Sequence, residues 1–175
     1  SKVSLKPRIA SMQDVLKANT GHMGKISRDA ANVIKGVASR REYRDLPVHV
    51  SFSGGKDSLV VLDLTVNALK GRDIRAFFLN TGIEFPETVE FARHFCSSRG
   101  IELKESAAGD AFWENLERFG PPAKDMRWCC KVCKLAPANR LIDESSGEGQ
   151  VCLTVDGKRR YESFSRASIS ASEKN

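Results

Sequence analysis

The segment best suited to hold an anion is Ser51-Phe52-Ser53-Gly54-Gly55-Lys56-Asp57-Ser58. Its two adjacent glycines leave the backbone without Cβ atoms, so the N–H groups can close around a phosphate. A helix predicted to begin near Lys56 adds the positive end of its dipole, and Lys56 adds a point charge. The spacing differs from that of a Walker loop. The segment therefore predicts a phosphate loop of another type.

A second polar segment, Asn80-Thr81-Gly82-Ile83-Glu84-Phe85-Pro86-Glu87-Thr88, follows a predicted strand. Gly82 permits a sharp turn, and Asn80 and Thr81 can hydrogen-bond a ribose or the edge of a base. Glu84 suits a ribose, a magnesium ion or the cap of a helix. From these residues alone, an ordinary loop before a capped helix explains the segment equally well.

Three cysteines lie within five positions, at Cys129, Cys130 and Cys133, among the cations Arg127, Lys131 and Lys134. Neighbouring cations lower the pKa of a thiol and favour the thiolate, which binds metals and attacks electrophiles. Metal ligation, redox-active thiols and a structural role all remain open. The other two cysteines are interpreted mainly as buried apolar residues, with Cys152 as a possible fourth ligand.

A basic segment, Gly157 to Arg166, follows the last predicted strand. Arginine guanidinium groups suit phosphate or sulfate oxygens because they can form paired hydrogen bonds. Arg159 and Arg166 are therefore candidate anion ligands, although a run of charges is also typical of a solvated surface.

Strand and helix patterns alternate after a helical lead-in at residues 1–46. This alternation predicts an α/β fold for residues 47–175: a Rossmann-like, parallel, twisted sheet of about five strands with helices on both faces, preceded by N-terminal helices. Ligands bind such sheets at the carboxyl ends of the strands. Four strand patterns are recognisable, at residues 48–52, 74–79, 101–105 and 151–155.

The composition suits a single nucleotide-binding domain. The chain has 175 residues, a formal net charge of +6 and five cysteines, so an anionic partner and reduced thiols are expected. No apolar run is long enough to span a membrane and no export signal is recognisable, so a cytoplasmic location without a membrane partner is expected. Ser1 and the polar end suggest a domain cut from a longer protein.

These segments together resemble a known family. Ser53 to Ser58 resembles the Ser-Gly-Gly-x-Asp-Ser signature of the adenine nucleotide alpha-hydrolase (PP-loop) superfamily. Asn80 to Thr88 is similar to the Asp-Thr-Gly-x-x-Phe-Pro-Glu-Thr segment of the phosphoadenosine phosphosulfate (PAPS) reductase family, with Asn80 in place of Asp. Gly157 to Arg166 resembles that family's Gly-x-Arg-x-x-x-Ser-x-x-Arg element. Gly120 to Pro137 resembles its archaeal branch.

The resemblance implies a reductase that converts PAPS or adenylyl sulfate (APS) to sulfite and PAP or AMP. It implies an electron donor of the thioredoxin or ferredoxin type and, by analogy with adenylyl-sulfate reductases, a [4Fe–4S] cluster held partly by adjacent cysteines. The expected catalytic residues are Lys56, Arg159, Cys129 and Cys130. Cys133 joins the cysteine pair as a possible metal ligand. The expected nucleotide ligands are Ser51, Phe52, Ser53, Gly54, Gly55, Lys56, Asp57, Ser58, Asn80, Thr81, Gly82, Glu84, Arg127, Gly157, Arg159 and Arg166.

Two departures keep other functions open. The 175 residues contain neither the Glu-Cys-Gly-x-His segment that carries the nucleophile of proven reductases nor the later Cys-x-x-Cys of cluster-binding ones. An ATP pyrophosphatase that uses Mg²⁺ to adenylate a substrate such as tRNA for sulfur transfer is one alternative. A non-catalytic nucleotide-sensing module of a redox protein is the other.

Overall fold

A computed structural model of the chain describes residues 10–123, 125–146 and 151–157. Its elements, in chain order, are α1 (Met12–Ala38), β1 (Val48–Ser51), α2 (Lys56–Ala68), β2 (Ile74–Asn80), α3 (Pro86–Ser98), β3 (Glu102–Ala107), α4 (Ala111–Phe119), α5 (Trp128–Cys130), a π-helical turn (Lys131–Leu135), α6 (Ala136–Ser146) and β4 (Leu153–Val155). Within these ranges, no helix combines the length and the apolar character that crossing a bilayer requires.

The strands form one parallel sheet in the order β3-β2-β1-β4. The predicted α/β class and parallel pairing are confirmed. The sequence suggested about five strands, whereas the described residues contain four. The chain steps from β1 to β2 to β3 in one direction and then crosses back to β4. Right-handed crossovers therefore place α2 and α3 on one face and α6 on the other, as predicted.

The face under α2 and α3 holds the apolar core. Val48, Val50, Ala76 and Phe78 point to this face and pack with buried residues of the two helices, among them Leu62. Alternation along the strands then sends the intervening side chains to the opposite face.

That opposite face is more polar and lies under α6. It carries His49 and Ser51 of β1 and their register partners Arg75 and Phe77 of β2. Arg75 donates from Nη1 to the carbonyl oxygen of Ser145 at 2.5 Å, which ties β2 to the end of α6. The sheet is therefore held by apolar packing on one face and by mixed contacts on the other.

The lead-in is one long helix rather than the several helices expected, within the residues described. Nothing between Met12 and Ala38 breaks it, because its glycines each lower helix propensity by only about 1 kcal/mol. A reciprocal cap starts it: Ser11 Oγ accepts from the backbone N–H of Asp14, and the Asp14 carboxylate accepts from the backbone N–H of Ser11. Its C-terminal part packs against α2.

Candidate functional site

A cavity of about 290 Å³ opens at the carboxyl ends of β1 and β2, beside the residues that follow β4. The chain leaves β1 towards β2 on one side, while β4 lies on the other side of β1. This is the switch point at which open parallel sheets bind their ligands. The lining residues are Ser51, Phe52, Ser53, Ser58, Phe77, Phe78, Leu79, Glu84, Lys134, Asp156 and Gly157.

The phosphate loop connects β1 to α2 as predicted. Gly54 has φ +74°, a left-handed conformation that favours glycine, and a Cβ there would lie 3.0 Å from Thr88 Cγ2. Ser58 Oγ donates to the carbonyl oxygen of Gly55 at 2.9 Å and accepts from the backbone N–H of Ser53 at 3.1 Å. These bonds fold the loop around the start of α2.

The first turn of α2 is well placed to receive an anion. Its N-cap residue is Gly55, and no side chain caps the helix. The N–H groups of the first turn therefore keep their donor capacity at the positive end of the helix dipole. Lys56 begins α2 with an exposed side chain, and Asp57 follows. Gly54, Gly55, Lys56 and Asp57 frame the loop without lining the cavity.

The second polar segment forms a tight turn that orients one carboxylate. Asn80 Oδ1 accepts from the backbone N–H of Gly82 at 3.0 Å, and buried Thr81 donates from Oγ1 to Glu84 Oε1 at 3.0 Å. Both Asn and Asp have a side-chain oxygen that can accept this hydrogen bond. Asn80 can therefore form the same turn as the Asp of the similar family segment, but without the negative charge. Of this segment, Glu84 reaches the cavity wall.

Gly157 lies against α2, at the described end of the basic segment. A Cβ at this position would lie 2.8 Å from Val61 Cγ2, so a larger residue would force the loop away from the helix. Gly157 and its neighbour Asp156 both line the cavity. Arg159 and Arg166, the predicted anion ligands, lie outside the described residues.

The cysteines lie on a helical segment that contains a π-helical turn. Helical structure begins at Trp128 and passes through the π-helical turn into α6. Trp128 fixes the start of the segment, because its indole N–H donates to the carbonyl oxygen of Gly120 at 3.1 Å. Single π-helical turns occur frequently at functional sites.

The three thiols along this helical segment differ in burial. Cys133 is buried, and this burial raises the pKa of its thiol; the nearby Cys129 raises it further and Lys134 lowers it. Cys129 and Cys130 are half-buried. Lys134 lies four residues after Cys130, on the same side of the helix, and lines the cavity. The cysteine segment thus contributes a cation to the cavity.

The described cysteines do not form a complete metal-binding set. Across residues 10–123, 125–146 and 151–157, no three or more Cys, His, Asp or Glu side chains converge as a metal site would require. Cys152 precedes β4, at the amino edge of the sheet, whereas Lys134 lies at the carboxyl edge. Within the described residues, Cys152 does not join the other three cysteines in such a group. An iron–sulfur or zinc site does not fit the ligands this structure brings together.

Arg127 occupies a different place from the one expected. It lines a separate shallow pocket with Asp125, Met126, Trp128 and Lys131, and it does not line the cavity at the strand ends. Arg127 directly precedes α5, whereas Lys134 belongs to the π-helical turn that follows α5 and lines the cavity.

Sequence analysis did not select five of the lining residues. Phe77, Phe78 and Leu79 belong to β2 and had been assigned only to a strand, although the last residues of parallel strands are the ones that reach such a cavity. Asp156 directly follows β4 and could have been found in the same way. No sequence pattern marked Lys134 as a cavity residue, because only the packing of its helix over the sheet brings it to the strand ends.

The chain is similar in sequence to a known protein. The chain is 40% identical over 153 residues to the uncharacterized protein MJ0066 of Methanocaldococcus jannaschii, and the match covers 87% of this chain and 30% of that relative. The chain therefore spans about a third of that relative's length.

Solved structures share the fold. The NH3-dependent NAD synthetase of Campylobacter jejuni superposes with a TM-score of 0.60 at 19% identity, covering 78% of this chain and 57% of that one. The U34-tRNA thiolase NcsA of Methanococcus maripaludis, determined with its [4Fe-4S] cluster, gives 0.50 at 24% identity, covering 76% and 46%. The family model of the phosphoadenosine phosphosulfate reductase domain matches residues 47–175.

Proposed function

Because the chain belongs to the phosphoadenosine phosphosulfate reductase domain family, we propose that it binds PAPS or APS and reduces the sulfonucleotide to sulfite and PAP or AMP. The observation that carries this proposal is the cavity at the sheet's switch point, where a phosphate loop and Lys134 meet. Both are suited to an anion, and the cavity is close in size to small-ligand pockets of a few hundred Å³.

The phosphosulfate is proposed to lie between the start of α2 and Lys134. The first-turn N–H groups of α2 and the hydroxyl of Ser53 would donate to its oxygens. The hydroxyl of Ser58 donates to the carbonyl oxygen of Gly55 and so holds the loop in place. Lys134 would neutralise the charge that develops on the departing phosphate. Lys56 and Arg159 remain proposed ligands on the strength of the sequence.

The reaction needs one thiolate to attack and a second thiol to resolve the product. In the first step a cysteine sulfur bonds to the sulfonate sulfur and the S–O bond breaks, so its electron pair leaves with AMP or PAP. In the second step another thiol attacks the cysteine sulfur of the thiosulfonate, which releases sulfite and leaves a disulfide. A dithiol donor of the thioredoxin type, or a ferredoxin-type donor, would then reduce that disulfide.

Cys129 and Cys130 are the proposed thiols within this chain. Both are half-buried, and Cys130 precedes Lys134, which lines the cavity, by four residues. Cys133 is the weaker candidate because burial raises the pKa of its thiol and so disfavours the thiolate. No step is assigned to an iron–sulfur cluster, since the described residues do not fit one.

Titration calorimetry with PAPS, APS and ATP tests the binding step. Lys134→Ala is expected to weaken binding of the preferred nucleotide at least about tenfold, or about 1.4 kcal/mol, because it removes a cation from the cavity wall. Lys131→Ala is the matched control, since Lys131 is exposed on the same turn and does not line this cavity. Equal losses in the two variants would contradict the assignment of Lys134.

Turnover is tested by following sulfite and nucleotide release with a dithiol reductant. Cys130→Ala and Cys129→Ala are each expected to leave nucleotide affinity within about threefold of wild type, and the variant that removes the attacking thiol is expected to abolish sulfite release. If both variants keep full turnover, the proposed thiols are wrong, and the nucleophile must come from another part of the protein.

A second candidate is an ATP pyrophosphatase, and two carboxylates favour it. Glu84, oriented by Thr81, and Asp156 both line the cavity, and carboxylates are the protein ligands that Mg²⁺ prefers. Such an enzyme would adenylate a substrate such as tRNA for sulfur transfer. Mg²⁺-dependent release of pyrophosphate from ATP, with no sulfite formed from PAPS or APS, would favour this candidate. Binding without turnover of any of the three would instead favour a nucleotide-sensing module.

A further inference from the structure

Helix α1 carries an apolar stripe that its own domain leaves exposed. Met12, Leu16, Met23, Ile26 and Val33 are between 47% and 74% exposed. Scattered exposed apolar residues are ordinary, but these five follow one another along one side of the helix. Their spacing is therefore informative.

The stripe repeats at intervals of three and four residues, which is the period of a coiled coil. Counted from Met12, the steps alternate four and three up to the end of the helix, giving a mean of 3.5 residues. Seven of the eight positions are apolar and one is Asn. The full set is Met12, Leu16, Asn19, Met23, Ile26, Ala30, Val33 and Val37.

A different set of residues attaches α1 to the domain. Ala31 and Ile34 are half-buried and Ala38 is buried, and Ile34 packs against the core. At 100° per residue, this set points about 100° around the helix from the stripe near Val33. The domain therefore lies to one flank of the stripe. It leaves the five large apolar side chains exposed, while Ala30 and Val37 are half-buried.

The charges of α1 are compatible with a coiled coil. With Leu16 and Met23 at position a, five of the six charged residues fall at the outer positions b, c and f. Asp29 is the exception, at position g, and its carboxylate pairs with Lys25 of the same helix at 2.9 Å. The positions flanking the stripe thus carry no run of like charge that would repel a second copy.

We propose that α1 pairs with α1 of a second copy of this chain as a parallel coiled coil along this stripe. The parallel, in-register arrangement follows from Asn19 at position d, because it places the two Asn19 amides opposite each other. In an antiparallel pair each amide would face apolar side chains without a partner, which is costly.

The mass of the 175-residue chain in solution tests the pairing. Sedimentation equilibrium at rising micromolar concentration is expected to approach twice the 19.3 kDa of one chain. Ile26→Glu places a charge in the stripe and is expected to give the monomer mass. Asn32→Glu adds the same charge at an exposed position outside the stripe and is expected to keep the dimer.

Met12→Cys tests the direction of the helices. Oxidation of a parallel dimer is expected to join the two introduced thiols in an intermolecular disulfide, detected by peptide mass mapping. In an antiparallel dimer the two positions would lie about 35–40 Å apart, at opposite ends of the paired helices, and would not crosslink.

A monomer mass for the wild-type chain at all concentrations would overturn the proposal. If that monomer cosediments with vesicles of anionic phospholipid and Ile26→Glu does not, the stripe is a membrane-surface face instead. A dimer that Ile26→Glu leaves intact would also overturn it, because the interface would then lie elsewhere.

Discussion

Gly54 shows how a single residue determines the conformation and packing of the phosphate loop. Its φ of +74° lies in the left-handed region, and its missing Cβ leaves room for Thr88. The loop therefore depends on glycine twice, once for the backbone conformation and once for the close approach of α3. The neighbouring Gly55 has extended dihedral angles, so its requirement is weaker.

We predict that Gly54→Ala lowers the free energy of unfolding by about 1–2 kcal/mol and also weakens nucleotide binding at least about tenfold. The first effect reflects a left-handed alanine, and the second reflects displacement of the loop. Gly71→Ala is the control, since Gly71 has φ +85° with no atom near the missing Cβ and lies away from the cavity. Urea unfolding and calorimetry should show a stability loss in both variants and an affinity loss only in the first.

At the scale of elements, α1 is a long helix that contains several residues of low helix propensity. It spans 27 residues and contains three glycines, at Gly21, Gly24 and Gly36. Each glycine costs about 1 kcal/mol of helix propensity relative to alanine, so the part that projects beyond α2 depends on packing for its stability.

Gly21→Ala is therefore expected to stabilise α1 by about 0.5–1 kcal/mol, because nothing lies within 4 Å of the added Cβ. Hydrogen exchange of the α1 amides measures this locally. Faster exchange in the variant than in wild type would contradict the helical conformation assigned to this residue.

The segment from Trp128 to Ser146 gives neighbouring thiols different reactivity. Cys133 is buried and the pKa of its thiol is raised, and burial in the core raises the pKa of Cys96 to about 11. Cys129 and Cys130 are only half-buried.

Iodoacetamide is therefore expected to alkylate Cys129 and Cys130 at least about tenfold faster than Cys133 and Cys96 in the folded chain. Mass spectrometry of peptides from timed samples measures the four rates. The urea-unfolded chain is the control, in which the four rates should converge. If Cys133 reacts as fast as Cys130 in the folded chain, the buried position assigned to it is wrong.

At the scale of the whole molecule, His49 links folding to pH. It is buried in the middle of the sheet, stacks on Phe77 with ring centroids 4.2 Å apart, and hydrogen-bonds through neither ring nitrogen to any described residue. Burial lowers the pKa of His49, and the nearby Arg75 guanidinium lowers it further. The folded chain therefore disfavours the imidazolium form.

The direction of the pH effect follows from this shift. Below the ordinary histidine pKa of about 6.5 the unfolded chain takes up a proton that the folded chain resists. The contribution of His49 is therefore fully present above that pH and is lost as the pH falls towards the lower pKa of the folded state. His49→Phe should flatten the decline in stability over this window, measured by urea unfolding at a series of pH values. An unchanged slope would contradict the shift.

Much of the architecture was readable from local patterns. Alternating apolar strands and amphipathic helices predicted the parallel α/β sheet, and the two glycines before Lys56 marked the loop at the end of β1. These features depend on neighbours in the chain, so sequence periodicity contains them. Of the predicted ligands, Ser51, Phe52, Ser53, Ser58, Glu84 and Gly157 line the cavity.

Tertiary structure decided what local patterns could not. Lys134 reaches the cavity at the strand ends and Arg127 a separate pocket, although only seven positions separate them in one cationic, cysteine-rich run. The difference arises because a π-helical turn and the packing of α6 over the sheet determine which side chains face the strand ends. Such contacts join residues distant in sequence, so no spacing rule predicts them. The sequence alone determined the sheet and the glycine-containing loop at the end of β1. Only the packing of the last helix over that sheet brought Lys134 to the same cavity.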